Sequence, residues 1–201
     1  MSATAAPFGL RPVGNLGGNY NGSFRQYPIL STESTAIVFG DVVKLTDAGA
    51  TTTIQKDTGT TSATPIGIFM GCRYTDISTG QTQFSQVWSG AAHTNGMVYV
   101  ADDPNILFAI QADGTVNDDD LAANCALVQG TANTTLGISR VSLDISTAAT
   151  TAGLDLRICG LYEDEGNTDY SAVGHQYIVR LNAPFNSGFA AAVGTAANTG
   201  I

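Results

Sequence analysis

Apolar and polar residues alternate in short runs along most of this chain, and each run is closed by Gly, Pro, Asn or Asp. Ile66, Ile68, Met70, Cys72 and Tyr74 occupy every second position, as do Ile106, Phe108 and Ile110. Leu154, Leu156 and Ile158 alternate with Asp155, Arg157 and Cys159; Tyr177, Val179 and Leu181 alternate with Gln176, Ile178 and Arg180. Successive side chains of a strand point to opposite faces, so a period of two is the signature of half-buried β structure. Further strands are predicted over 36–44, 82–88, 97–101 and 141–145. The chain is therefore predicted to be mainly β, a small barrel or sandwich of about eight or nine short strands. Its 201 residues suit one domain of middling size.

Three stretches depart from that pattern. Asp118-Asp119-Asp120-Leu121 opens with capping residues, and Leu121, Ala122, Cys125 and Val128 follow at helical spacing. One short helix over about 119–128 is expected there, with its aspartates at the positive end of the dipole. Residues 1–34 are punctuated by Pro7, Pro12, Gly14, Gly17, Gly18 and Gly22, too often for a useful strand or helix. They are predicted to form an extended arm that needs a surface to lie on. Residues 184–201, rich in Ala and Gly, read as a tail, which leaves 35–183 as the β-rich domain.

Composition removes several function classes. Charged residues make up 12% of the chain, and 8 Lys and Arg stand against 17 Asp and Glu, for a net charge of −9. A chain so poor in cations neutralises few phosphates, so neither nucleic acid nor an anionic membrane is an expected partner. The opening residues have no basic cluster before an apolar run, and no window is long and apolar enough to span a bilayer. Cys72, Cys125 and Cys159 lie far apart and make no zinc-type pair; they are expected to be reduced, buried, small hydrophobes.

The motifs that carry chemistry are equally sparse. Lys44 and Lys56 are the only lysines, and neither follows a phosphate-binding glycine loop. His93 and His175 are the only candidate bases, and G-x-S-x-G is absent. Asp113 with Asp118, Asp119 and Asp120, and the run from Glu163 to Asp169, are oxygen-rich, but neither has the spacing of a calcium loop. Asp102-Asp103-Pro104 reads as a turn between strands. No catalytic, cofactor or metal site is predicted. Trp88, the sole tryptophan, reads equally as a core aromatic or as an interface anchor.

Several segments together resemble a known group. They are Pro7-Phe8-Gly9-Leu10-Arg11-Pro12-Val13, Gly40-Asp41-Val42-Val43-Lys44-Leu45 and Pro65-Ile66-Gly67-Ile68-Phe69-Met70-Gly71. Ala101-Asp102-Asp103-Pro104 running into Phe108-Ala109-Ile110-Gln111, and Gly174-His175-Gln176-Tyr177-Ile178-Val179-Arg180-Leu181-Asn182, complete the set. In these the chain resembles structural proteins of tailed bacteriophages, in particular capsid decoration (cement) proteins. The resemblance implies a β-rich subunit that binds the outside of the head and clamps neighbouring major capsid proteins. It also implies assembly as a trimer or dimer, synthesis in the host cytoplasm, and no catalytic residues. The main alternative is a tail or fibre component. An enzyme cleaving glycans with a carboxylate pair is the alternative from another class, and the 8% aromatic content offers little for stacking sugars.

The arm supplies the expected interface. Phe8, Leu10, Arg11, Leu16, Tyr20, Phe24 and Tyr27, with Trp88, are the candidate contact residues. On this reading the arm packs on a sister copy, as a trimer or alternatively a dimer, or on the major capsid protein. Deleting residues 1–20 is then expected to leave a folded β domain that assembles poorly.

Overall fold

The computed structural model describes residues 4–47, 49, 52–61, 63–90, 93–115, 120–151, 153–163, 167–168 and 172–182. Fifteen strands run through them. In chain order they are β1 (Arg11–Asn15), β2 (Gly18–Asn19), β3 (Arg25–Pro28), β4 (Ile37–Val38) and β5 (Val42–Asp47). Next come β6 (Thr52–Lys56), β7 (Gly67–Asp76), β8 (Thr82–Ser85), β9 (Val87–Trp88) and β10 (His93–Ala101). The last five are β11 (Ile106–Gln111), β12 (Asn124–Val128), β13 (Ser142–Ala149), β14 (Leu156–Leu161) and β15 (Gln176–Leu181). The predicted mainly-β class is what the chain adopts: curled sheets form a half-barrel.

The larger sheet has the order β13-β12-β14-β15-β11-β1-β2, and a six-stranded sheet has the order β3-β10-β7-β5-β6, with β8 on β7. A two-stranded ribbon joins β4 to β9. One core cluster joins the larger sheet, through Phe108, Leu127, Leu143 and Val179, to Val42, Ile68 and Ala101 of the six-stranded one. A second lies on the opposite face of the six-stranded sheet and joins Val43, Phe69, Cys72, Val98 and Val100 to Ile37 and Trp88 of the ribbon. The six-stranded sheet is thus apolar on both faces. That is why Val42-Val43 and Ile68-Phe69 read as continuous apolar pairs rather than as alternation.

The period of two also fails at Gly71 for a geometric reason. Between Tyr99 and Val100 of β10 the β7 register jumps from Gly71 to Phe69, and Gly71 has φ +136°. This bulge turns Cys72 onto the face of Phe69, so the predicted Ile66-to-Tyr74 stripe divides between the two cores. Two predicted strands are also divided. The 36–44 run breaks at a turn in which Asp41 N–H donates to Val38 C=O, and 82–88 breaks after Ser85, so that β8 pairs with β7 and β9 with β4.

Two expectations are corrected. The helix over 119–128 is not formed where the chain is described: Asn124–Val128 is strand β12, paired with β13 and β14. Only a turn at Asp120, with Ala123 N–H donating to Asp120 C=O, precedes it. Cys125, Ala126 and Leu127 are all buried. Pairing on both sides outweighs the weak helix preference of Asn, Cys and Val. Asp118 and Asp119 lie outside the described residues.

The N-terminal arm is the second correction. β1 pairs with β11, β3 pairs with β10, and Leu10 is wholly buried in the first core. The punctuation that argued against strands is absorbed by position. Pro12 stands where the β1 register shifts, and Pro28 ends β3, an edge strand. Gly9 is required where the arm enters the core: it has φ +78°, and a Cβ there would lie 2.5 Å from both Gly40 O and Ser139 Cβ. The tail, residues 184–201, lies outside the described residues.

Candidate interaction surface

The buried carboxylates tie loops to the frame. Asp41 accepts from Val38 N–H (3.0 Å), Ser139 Oγ–H (2.6 Å) and Lys56 Nζ (2.8 Å). Asp57 accepts from Gly59 and Thr64 N–H, closing the loop after β6. Asp102 is more than a turn residue, for it accepts from Tyr27 Oη–H (2.6 Å) and pairs with Arg25 Nε (3.3 Å), pinning the edge strand β3. Burial first, then the bond to Asp102, pushes the Tyr27 hydroxyl up to about 12. Of the acidic clusters, Asp113 accepts from Ile145 N–H and Asp120 from Tyr177 Oη–H. Among the described residues no three His, Cys, Asp or Glu side chains group as a metal site requires.

Asp155 is the exception among these carboxylates. Predicted to share the outward face with Arg157, it is instead buried, with Oδ1 accepting from Ala63 N–H (2.8 Å). Its Oδ2 is buried without a hydrogen-bond partner. Burial is the main cause that raises this carboxyl from 3.8 to about 6, with the charge of Asp57 adding to it. A raised carboxyl binds its proton more tightly when folded, so its stabilisation is complete below pH 3.8 and is lost as pH rises to about 6. At pH 7 the ionised group costs the fold on the order of 1–3 kcal/mol, solvent screening taking part of the full shift. Asp155→Asn keeps the acceptor for Ala63 and cannot ionise. It is expected to raise stability in urea by about 1–3 kcal/mol at pH 7 and to match the parent near pH 4. A difference that does not change with pH refutes this account.

His93 opens β10 of the six-stranded sheet, and His175 immediately precedes β15 of the larger one. His93 Nε2 lies 3.0 Å from the exposed Ser89 Oγ, and its ring stacks on Tyr74 with centroids 3.8 Å apart. A hydroxyl and an imidazole in this contact are two parts of a nucleophilic site. The third part, a group that orients the base, is missing among the described residues, because His93 Nδ1 is buried without a partner. His175 is fully buried, its ring edge-on to Tyr177. Burial pushes the thiols of Cys72 and Cys125 up to about 12. Cys159 departs from the expected burial: it is exposed on β14.

The eight candidate contact residues divide sharply. Leu10 and Trp88 belong to the two cores, and Trp88 Nε1–H donates to Glu33 C=O (3.1 Å). The tryptophan is thus a core aromatic. Tyr20 and Tyr27 are engaged within the chain, through Ser23 C=O and Asp102. Arg11 lies 4.4 Å over the Phe8 ring, and Phe24 meets Tyr99 edge-on while staying 50% exposed. Leu16 is 54% exposed. Burial inside the chain therefore accounts for much of the apolar arm without any neighbour.

Two open apolar surfaces stand out among the described residues. One is the β7–β8 hairpin, where Ile77 is 66% and Phe84 72% exposed. Its turn is held firmly: Asp76 Oδ1 accepts from Ser78 N–H, Ser78 Oγ–H and Thr79 N–H. These bonds, the Ser78 hydroxyl first, hold the Asp76 carboxyl down at about 2. The other is the outer face of β14 and β15. There Arg157 and Arg180 stand directly opposite each other, with Cys159, Leu16, Leu121 and Glu163 around them. The sequence contains the signal for this face, because Arg157 and Arg180 both fall at outward positions of their runs. Their juxtaposition depends on strand register, which no local pattern encodes.

Comparison of the chain with protein-family models, with curated proteins and with solved structures finds no match.

Proposed function

We propose that this chain is a structural subunit of a tailed-bacteriophage virion, a decoration (cement) protein that binds the outside of the head and strengthens contacts between major capsid proteins. The observation that carries this reading is the β7–β8 hairpin. It presents Phe84 and Ile77 to solvent from a turn locked by Asp76, on a strand that runs through both cores. A rigid projection that holds exposed apolar side chains suits docking onto a preformed surface, since little conformational entropy remains to be lost on binding. The segments that resemble cement proteins support it. The carboxylate excess suits a crowded, soluble exterior, and the scarcity of cations suits a position away from packaged genome.

Quantitative mass spectrometry of purified virions tests the reading. A cement protein is expected at hundreds of copies per particle, whereas a few to tens would assign it to the tail or fibre and overturn the head assignment. On the head reading, Phe84→Ser combined with Ile77→Ser is expected to lower occupancy on particles at least tenfold, by removing two apolar contacts of about 1.5–3 kcal/mol each. The isolated variant is expected to keep its thermal stability, both side chains being exposed. Unchanged occupancy would rule out the hairpin as the contact.

A further inference from the structure

Arg157 and Arg180 are two of only 8 cations in a chain of net charge −9, yet they are cross-strand partners on one exposed sheet face. Like charges directly opposite on neighbouring strands destabilise a sheet. Among the described residues the ion pairs are Arg25–Asp102 and Lys56–Asp41, so neither guanidinium is matched by a described carboxylate. The Arg180 Nε is in addition buried without a hydrogen-bond partner. Exposed leucines border this pair, Leu16 at 54% and Leu121 at 51%. Leu121 is held there by the turn at Asp120, whose Ala122 has φ +67°, a conformation that costs a non-glycine residue energy. Glu163 lines the same groove and is exposed.

One patch therefore holds leucines, two guanidiniums and a carboxylate. That is the composition an isologous contact demands, in which each copy offers the same patch to the other. We infer that the outer face of β14–β15 is a two-fold interface between two copies of this chain, with Glu163 of each copy set against Arg157 and Arg180 of the other. Burial of Leu16 and Leu121 supplies the apolar part of the contact, and the crossed charges fix its register. The inference stands whether or not the chain belongs to a virion. It selects the dimer over the trimer expected from the arm, whose anchor Leu10 is spent on its own core.

Sedimentation velocity on the full chain, in the tens of micromolar, tests it by charge exchange. The parent is expected to be a dimer that weakens with salt. Arg180→Glu and Glu163→Arg, each alone, set like charges across the two-fold and are expected to weaken dimerisation about tenfold or more. Mixed in equal amounts they are expected to dimerise again, because the carboxylate introduced in one variant then faces the guanidinium introduced in the other. Leu121→Ser, which leaves all charges in place, is expected to weaken the dimer as well. A monomeric parent, a trimer, single variants that dimerise like the parent, or a mixture that stays monomeric would each overturn the inference.

Discussion

A chain lacking residues 1–20 is expected to lose its cooperative fold. Leu10 is wholly buried between the sheets, and its N–H donates to Gly40 C=O (3.0 Å). Removing it takes a core side chain whose loss alone costs about 2–5 kcal/mol, as Leu10→Ala should show. The deletion also strips β1 from β11, so that β11, still paired with β15, becomes an edge strand carrying Ile106, Phe108 and Ile110. Gln111 loses the Thr4 carbonyl and Ala6 N–H that its side chain holds (2.8 and 2.7 Å). With domain stabilities of about 5–15 kcal/mol, these losses together are enough to unfold it. Circular dichroism and thermal melting decide the matter. A truncated chain that melts cooperatively at the parent temperature would show that the arm is an accessory after all.

This reverses what the sequence led one to expect, and the reversal shows which information the sequence carried. β15 alternates cleanly and lies between β14 and β11 with one side packed on the core, so period-two burial is written directly into it, whereas β11 buries Ala109 and Gln111 as well as Ile106, Phe108 and Ile110. β1 and β3 carry prolines and glycines because they sit at a register shift and at a sheet edge, where a missing N–H does little harm. A local rule cannot tell such a strand from a free arm. β12 was hidden for the opposite reason: Leu121, Ala122, Cys125 and Val128 have helical spacing, but their neighbours β13 and β14 lie far along the chain. Of the candidate contacts, Leu16 and Phe24 were legible as exposed apolar residues. The Arg157–Arg180 pair was not, because its meaning comes from register between two strands rather than from either run.

The second large effect is expected at Asp41. Its side chain is fully buried where three parts of the chain meet: the β4–β5 turn through Val38 N–H, β6 through Lys56, and the loop before β13 through Ser139. Asp41→Ala leaves a lysine whose side chain is only 10% exposed without its counter-charge, and an N–H and an O–H without acceptors. Breaking a buried ion pair from one side costs about 3–5 kcal/mol, because the surviving charge stays desolvated. Asp41→Asn keeps one good acceptor and is expected to cost less than the alanine. Lys56→Met in the Asp41→Ala background removes the stranded charge and is expected to return part of the loss. Urea denaturation should show these as shifts in midpoint with little change in slope. If Asp41→Ala lies within about 1 kcal/mol of the parent, the carboxylate is not the tie between these loops, and the neighbouring contacts at Gly9, Gly40 and Ser139 hold the junction without it.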